Sequence, residues 1–186
     1  MKRLFDLTVS LVALVIFCFL IILIALLVKL SSKGPIIHWS KRIGKNNQLF
    51  LMPKFRTMRI DTPQLATHLL SNPTEWLTPI GGFLRKTSLD ELPQLWSIIK
   101  GDMSFVGPRP ALFNQYDLIE LRTLEGVDRL LPGLTGLAQI KGRDDIPIVE
   151  KVKWDKEYLN SQSFWFDLKI LIKTFFKVLQ QEGVKH

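Results

Sequence analysis

The sequence predicts an α+β chain: a membrane-embedded N-terminal helix, then a mostly helical domain with a small β element. Three observations carry this. Leu11 to Val28 contains no charge and no proline. Ile36 to Leu51 gathers β-favouring residues around a turn at Gly44 to Asn47. From Leu92 onward, apolar residues recur mostly at helical spacing.

Length and charge bound the rest. A chain of 186 residues suits one domain with a real core. The division expected is a membrane-anchoring helix over 1–33 and a second unit over 34–186. The net charge of +8 favours an anionic partner: nucleic acid, a phospholipid surface or a phosphorylated substrate. The single cysteine, Cys18, rules out an internal disulfide. His38, His68 and His186 show no metal-ligand spacing, and there is no P-loop or dinucleotide fingerprint.

As a helix, Leu11 to Val28 reaches roughly 27 Å, close to the hydrocarbon thickness of a bilayer. A soluble helix keeps a polar face, and this run has none. A cleaved signal peptide fits poorly, because Lys29 follows the run directly and no small-residue cleavage site appears. A single span and a re-entrant helix both remain. Lys2 and Arg3 on one flank, and Lys29 and Lys33 on the other, give little orientation bias.

Two short strands joined by a basic turn are expected between Gly34 and Arg59. Lys54, Arg56 and Arg59 then crowd together, as a solvated face or as an anion site at a membrane surface. Asp61 to Thr78 reads as a linker with a short helix around Gln64 to Leu70. Ile80 to Ser88 reads as a short helix and loop. Leu92, Leu95, Trp96 and Ile99 share one helical face, and Gly101 stops that helix. Pro108 and Pro110 hold "VGPRP" extended. Asn114 to Leu131 is an amphipathic helix candidate, and Leu137 to Ile140 a short strand. Two helices close the chain. The last carries Lys169, Lys173 and Lys177 at i+4 steps, which suits either a membrane-interface helix or a core-packing one.

Asp90 and Glu91 stand at the head of the Leu92 helix. Ser88-x-x-Glu91 matches a capping box, a common and purely structural motif. Pro93 argues against that register, since it would then lie past the first turn and remove a helical hydrogen bond. A later start puts both carboxylates at the helix tip, where the macrodipole favours their ionised forms. An ionised Asp there, near clustered Arg and Lys, suits a nucleophile or a magnesium ligand. Carboxylate, Mg²⁺ and basic residues together are the apparatus of phosphoryl transfer. Cap and chemistry both stand on the residues alone.

"KRLFDL", "KFRTM", "LRKTSLDELPQLWSIIKGDMSFVGPRP" and "PGLTGLAQIKGR" resemble the bacterial sugar transferase family, the monotopic phosphoglycosyl transferases, over nearly the whole chain. The likeness is to the small members, which are little more than the catalytic domain. It implies transfer of a sugar phosphate from a UDP-sugar to a polyprenol phosphate, usually undecaprenyl phosphate, with release of UMP. This is the first membrane step in building a surface glycan. It implies Asp90 as the nucleophile forming a covalent phosphosugar intermediate, and Glu91 as its partner, with Mg²⁺ held at the pair. Arg85, Arg109, Lys54, Arg56 and Arg143 are then the basic substrate contacts. The implied setting is the cytoplasmic face of the bacterial inner membrane, with membrane lipid as a partner and no nucleic acid. A homo-oligomer or other glycan-pathway enzymes are further implied partners. A re-entrant anchor follows, since both positive flanks then lie on the side of the nucleotide sugar.

The chain departs from the family in three places. Cys18-Phe19 stands where many small members carry Ser-Pro. Leu131 replaces the Arg often found before "PG", with Arg129 as a substitute. Asp144 and Asp145 follow "GR" where many members have Asn. The competing reading is a membrane-anchored basic module that binds nucleic acid or anionic lipid without catalysis. It lacks any nucleic-acid motif. No Asp-x-Asp metal motif of conventional nucleotide-sugar glycosyltransferases is present either.

Overall fold

The computed structural model describes residues 2–62, 72–142 and 146–180. Helix α1 runs unbroken from Lys2 to Ser31, about 45 Å at 1.5 Å per residue. β1 (Ile37–Ile43) and β2 (Leu49–Phe55) form an antiparallel hairpin, with a turn over Lys45–Asn47 in which Asn46 and Asn47 take positive φ. Asn tolerates that region better than most residues. Then follow α2 (Gly81–Lys86), α3 (Gln94–Lys100), β3 (Ser104–Val106), α4 (Tyr116–Leu124), β4 (Gly133–Thr135), α5 (Leu137–Lys141), α6 (Ile148–Ser161) and α7 (Phe164–Gln180). β3 and β4 pair in parallel, Ser104 with Gly133 and Val106 with Thr135.

The hairpin, the Gly101 stop (φ 98°) and the closing helices match the sequence expectations. Three expectations are corrected. The strand lies at Gly133–Thr135, while Leu137–Lys141 is helical; β3 supplies a partner only to the earlier segment. The helix expected over 114–131 ends at Leu124, because Gly126 turns left-handed (φ 70°) and a separate 3-10 turn follows at Val127–Arg129. The buried face of α3 is Gln94, Leu95, Ser97 and Ile98, with Trp96 exposed, because α1 covers that side of the helix. The expected helix around 64–70 lies outside the described residues.

One core cluster joins Met52, Leu95, Ile98, Met103, Phe105, Tyr158 and Ile170. A second joins Ile24 and Val28 of α1 to Phe55 and Leu84. Both ends of α1 are therefore fastened to the same body. At its start, Arg3 donates to the carbonyls of Ile98 and Ile99, and Asp6 Oδ1 accepts from the Phe105 N–H at 3.2 Å. At its end, Arg56 donates to the carbonyls of Ser32 and Lys33. Between them, Val15 to Phe19 are consecutively exposed. That is more than one full turn, so every face of the helix there is uncovered.

α7 turns Asp167 and Ile170 inward and leaves Trp165, Ile172, Phe175 and Phe176 exposed. It packs on the core and also presents an outer apolar face flanked by Lys169 and Lys173.

Candidate active site

The acidic pair sits in a 3-10 turn, Leu89–Glu91, between α2 and α3. Three residues per turn bring Leu89 and Leu92 onto one side, and both pack against the Phe55–Leu84 cluster. Asp90 and Glu91 are thereby turned away from that packing. Ser88 enters the turn with left-handed backbone (φ 56°, ψ 17°), a conformation that costs a non-glycine residue about 1–3 kcal/mol. Its side chain makes no capping bond. α3 begins only after Pro93, so the capping-box register is not the one adopted.

Cations from three other elements converge on this turn. Lys54 Nζ of β2 donates to Glu91 Oε1 at 2.7 Å. Arg109 Nη1, from the loop after β3, lies 3.7 Å from the same oxygen. Arg85 of α2 donates from Nε to Thr57 Oγ1 at 2.9 Å, and burial lowers its pKa while Asp90 opposes that shift. Asp90 is 7 % exposed. Burial pushes its pKa up to about 6; Glu91 adds to the rise, and Lys54, Arg85 and Arg109 pull against it. The carboxylate that desolvation disfavours is thus held ionisable near neutrality by a basic ring.

The structure brings Asp90, Glu91, Lys54, Arg85 and Arg109 together. Arg56 lies elsewhere: it is 4 % exposed, and its guanidinium occupies the last carbonyls of the α1 segment at 2.6 and 2.8 Å. That assigns it to anchoring α1. A Cβ on Gly34 (φ 124°) would stand 1.8 Å from Arg56 Nη1, which explains glycine there. Arg143, Asp144 and Asp145 fall outside the described residues. Arg129 is exposed on the turn before β4.

The cleft beside the pair is lined by Arg42, Met52, Lys54, Glu91, Gln94 and Arg109, among others. Sequence reasoning missed Arg42, Gln94 and His38. A period-2 signal was available: His38, Ser40 and Arg42 share one face of β1, and His38 stands opposite Lys54 in the ladder. His38 is exposed at the surface, and its pKa is lowered by partial desolvation first and then by Arg42, Lys54 and Arg85. Gln94 is 2 % exposed, and its Nε2 has no hydrogen-bond partner.

No cluster of three or more His, Cys, Asp or Glu side chains occurs among the described residues. The donor set at the turn is two adjacent carboxylates. Mg²⁺ is commonly held by one or two carboxylates together with substrate phosphates. Asp90 and Glu91 fit that requirement and would not by themselves form an all-protein cage.

The model of the family described as "Bacterial sugar transferase" matches residues 1–181. The chain belongs to the bacterial sugar transferase family. Among its relatives, the undecaprenyl-phosphate galactose phosphotransferase of Salmonella typhimurium is 37 % identical over 98 % of this chain and 41 % of its own length. The exopolysaccharide production protein ExoY of Rhizobium meliloti is 40 % identical over 98 % of this chain and 87 % of its own. The undecaprenyl-phosphate glucose phosphotransferase of Komagataeibacter xylinus is 40 % identical over 93 % of this chain and 35 % of its own. Against some curated relatives, this sugar transferase thus spans only about two-fifths of their length.

Proposed function

We propose that this bacterial sugar transferase moves a sugar 1-phosphate from a UDP-sugar to undecaprenyl phosphate in two displacements at Asp90. The observation that carries the reading is a buried carboxylate facing Lys54, Arg85 and Arg109 with a second carboxylate beside it. In the first displacement, an Asp90 carboxylate oxygen bonds to the β-phosphorus as the bridging P–O bond breaks. UMP departs with the electron pair. In the second, a phosphate oxygen of undecaprenyl phosphate forms the new P–O bond and the Asp90 carboxylate leaves. Both nucleophiles are already anions, so neither step needs a general base. Splitting one transfer between two bulky anions into two displacements is what a covalent nucleophile offers.

The guanidinium and ammonium groups bind and neutralise phosphate oxygens, Arg by planar paired donors and Lys as a point charge. Asp90 and Glu91 would hold Mg²⁺, which when bound adds positive charge against the same oxygens. The names of the Salmonella and Komagataeibacter relatives support undecaprenyl phosphate as acceptor and galactose or glucose as the sugar. The ExoY relative supports a place in surface polysaccharide synthesis.

The setting belongs to the same proposal: the cytoplasmic face of the inner membrane, with α1 entering and leaving one leaflet. Two observations support that path for α1. Both ends of α1 are fastened to one body, and Val15 to Phe19 are all exposed. Because α1 is unbroken, it would follow that path by lying shallowly in the leaflet, its backbone bonded internally. A helix crossing the bilayer would need its ends on opposite sides.

The test is UMP release from UDP-galactose and UDP-glucose, with Mg²⁺, in the presence and absence of undecaprenyl phosphate. Full turnover is expected only with the lipid. Donor alone should add a sugar-phosphate mass at Asp90, and Asp90→Asn should add none and turn over nothing. Normal turnover by Asp90→Asn would end the reading. Salt-dependent polyanion binding without UMP release would favour a binding module instead.

A further inference from the structure

Four consecutive carbonyls in the loop that carries Arg109 are each held by a different donor. Pro108 O accepts from the Gly133 N–H at 2.8 Å, and Ala111 O from the Ile43 N–H at 3.0 Å. Pro110 O accepts from Arg42 Nη1 at 3.1 Å, and Arg109 O from Arg122 Nη1 at 2.8 Å. Arg122 grips the carbonyl of Arg109 itself, and it does so from α4. Its Nε and Nη2 meanwhile donate to Asp155 Oδ2 of α6 at 3.0 and 2.6 Å. Both side chains are buried, at 9 % and 1 % exposure.

A buried ion pair is a poor device for stability alone, since desolvating two charges offsets much of their attraction. Asp155 shows this: burial raises its pKa despite Arg122 beside it. What the pair does achieve is direction. A guanidinium held by a carboxylate on two of its nitrogens has its third fixed in the same plane. That third nitrogen meets the carbonyl of Arg109, whose own side chain reaches Glu91.

We propose that Arg122, oriented by Asp155, is a positioning residue that sets the Arg109 guanidinium against the acidic pair for phosphate binding. The inference rests on the proposed function for what binds in the cleft, though its test does not require turnover. The experiment is a double-mutant cycle on donor binding. UDP-galactose and UDP-glucose affinities are measured by calorimetry in full-length protein carrying Asp90→Asn, with Arg122→Lys, Arg109→Met, or both. Lys offers one nitrogen and cannot bridge Asp155 and the Arg109 carbonyl together. Each single change should weaken binding roughly 10-fold, one conversion of about 1.4 kcal/mol. The double change should bind no more weakly than Arg109→Met alone. Additive losses, or undiminished binding in Arg122→Lys, would overturn the inference. If Arg122→Lys does not fold, Asp155→Asn, which keeps the volume, takes its place in the cycle: non-additive loss supports the inference, and additive or absent loss overturns it. Turnover by the Asp90→Asn background would instead count against the proposed function, and the cycle would still decide the role of Arg122.

Discussion

Lys54 Nζ and Glu91 Oε1 stand 2.7 Å apart, joining the end of the β-hairpin to the turn between α2 and α3. Lys54 is also the foremost of the groups that hold down the Asp90 pKa. One ammonium thus serves both carboxylates. Lys54→Met should lower turnover on the order of 10²-fold, the scale for losing one preorganised electrostatic donor. It should also move the acid limb of the pH–rate profile upward, because Asp90 loses its main opposing charge. Steady-state UMP release between pH 5 and pH 9 (an assay range of about four units) checks both.

On the proposed reading, Asp90 of the unsubstituted protein attacks phosphorus only when ionised. Covalent capture of the sugar phosphate should therefore rise with pH as Asp90 ionises, at about 6 without a cation and lower with Mg²⁺ bound, and level off above that. Rapid-quench measurement of the adduct without lipid acceptor isolates this step.

The same shift has a consequence for stability. The Asp90 pKa is higher in the folded protein than the ordinary carboxyl value of 3.8. Its contribution is fully present below about pH 4 and is lost as pH rises through about 6. Asp90→Asn, which stays neutral, should then be more stable at pH 8 by on the order of 1–3 kcal/mol. Thermal melts at pH 4 and pH 8 should show the gain only at the higher pH.

Arg56 separates two roles that sequence reasoning could not. Arg56→Met removes donors from the Ser32 and Lys33 carbonyls. Truncating one side of a buried charge-assisted bond costs about 1.5–3 kcal/mol. A lowered melting temperature with unchanged donor affinity is expected. A large loss of UDP-sugar affinity at intact stability would return Arg56 to the substrate.

The anchor makes a topological prediction. Cysteines placed singly at Leu4 and Lys33, in a Cys18→Ala background, should react with a membrane-impermeant maleimide from the same side of sealed vesicles. Labelling from opposite sides would show a span. Cys18 itself, in the uncovered turn, should resist that reagent until detergent is added.

What could be read from the residues was local. Gly101 as a helix stop, the Asn-bearing hairpin turn and the Asp90–Glu91 pair ahead of Pro93 are all set by near neighbours in the chain. What could not be read was set from a distance. Whether Leu137 begins a strand or a helix depends on β3, distant in sequence, pairing with Gly133–Thr135 instead. A short apolar run carries no period that decides between the two. Trp96 shares its predicted face with Leu95, yet α1 covers the side bearing Ser97 and Ile98 and leaves Trp96 out. Arg42 and Gln94 enter the cleft only once the hairpin folds against α3. Arg122 and Asp155 carry no motif at all; their meaning is the carbonyl between them and Arg109.

Ile24 and Val28 fill the same hydrophobic cluster as Phe55 and Leu84, the floor on which Leu89 and Leu92 seat the reactive turn. Cutting the chain ahead of Lys33 to obtain a water-soluble fragment would thus uncover that floor and unseat Asp90. A preparation meant to keep Asp90 in place should therefore retain α1, with detergent or a nanodisc around its exposed apolar residues.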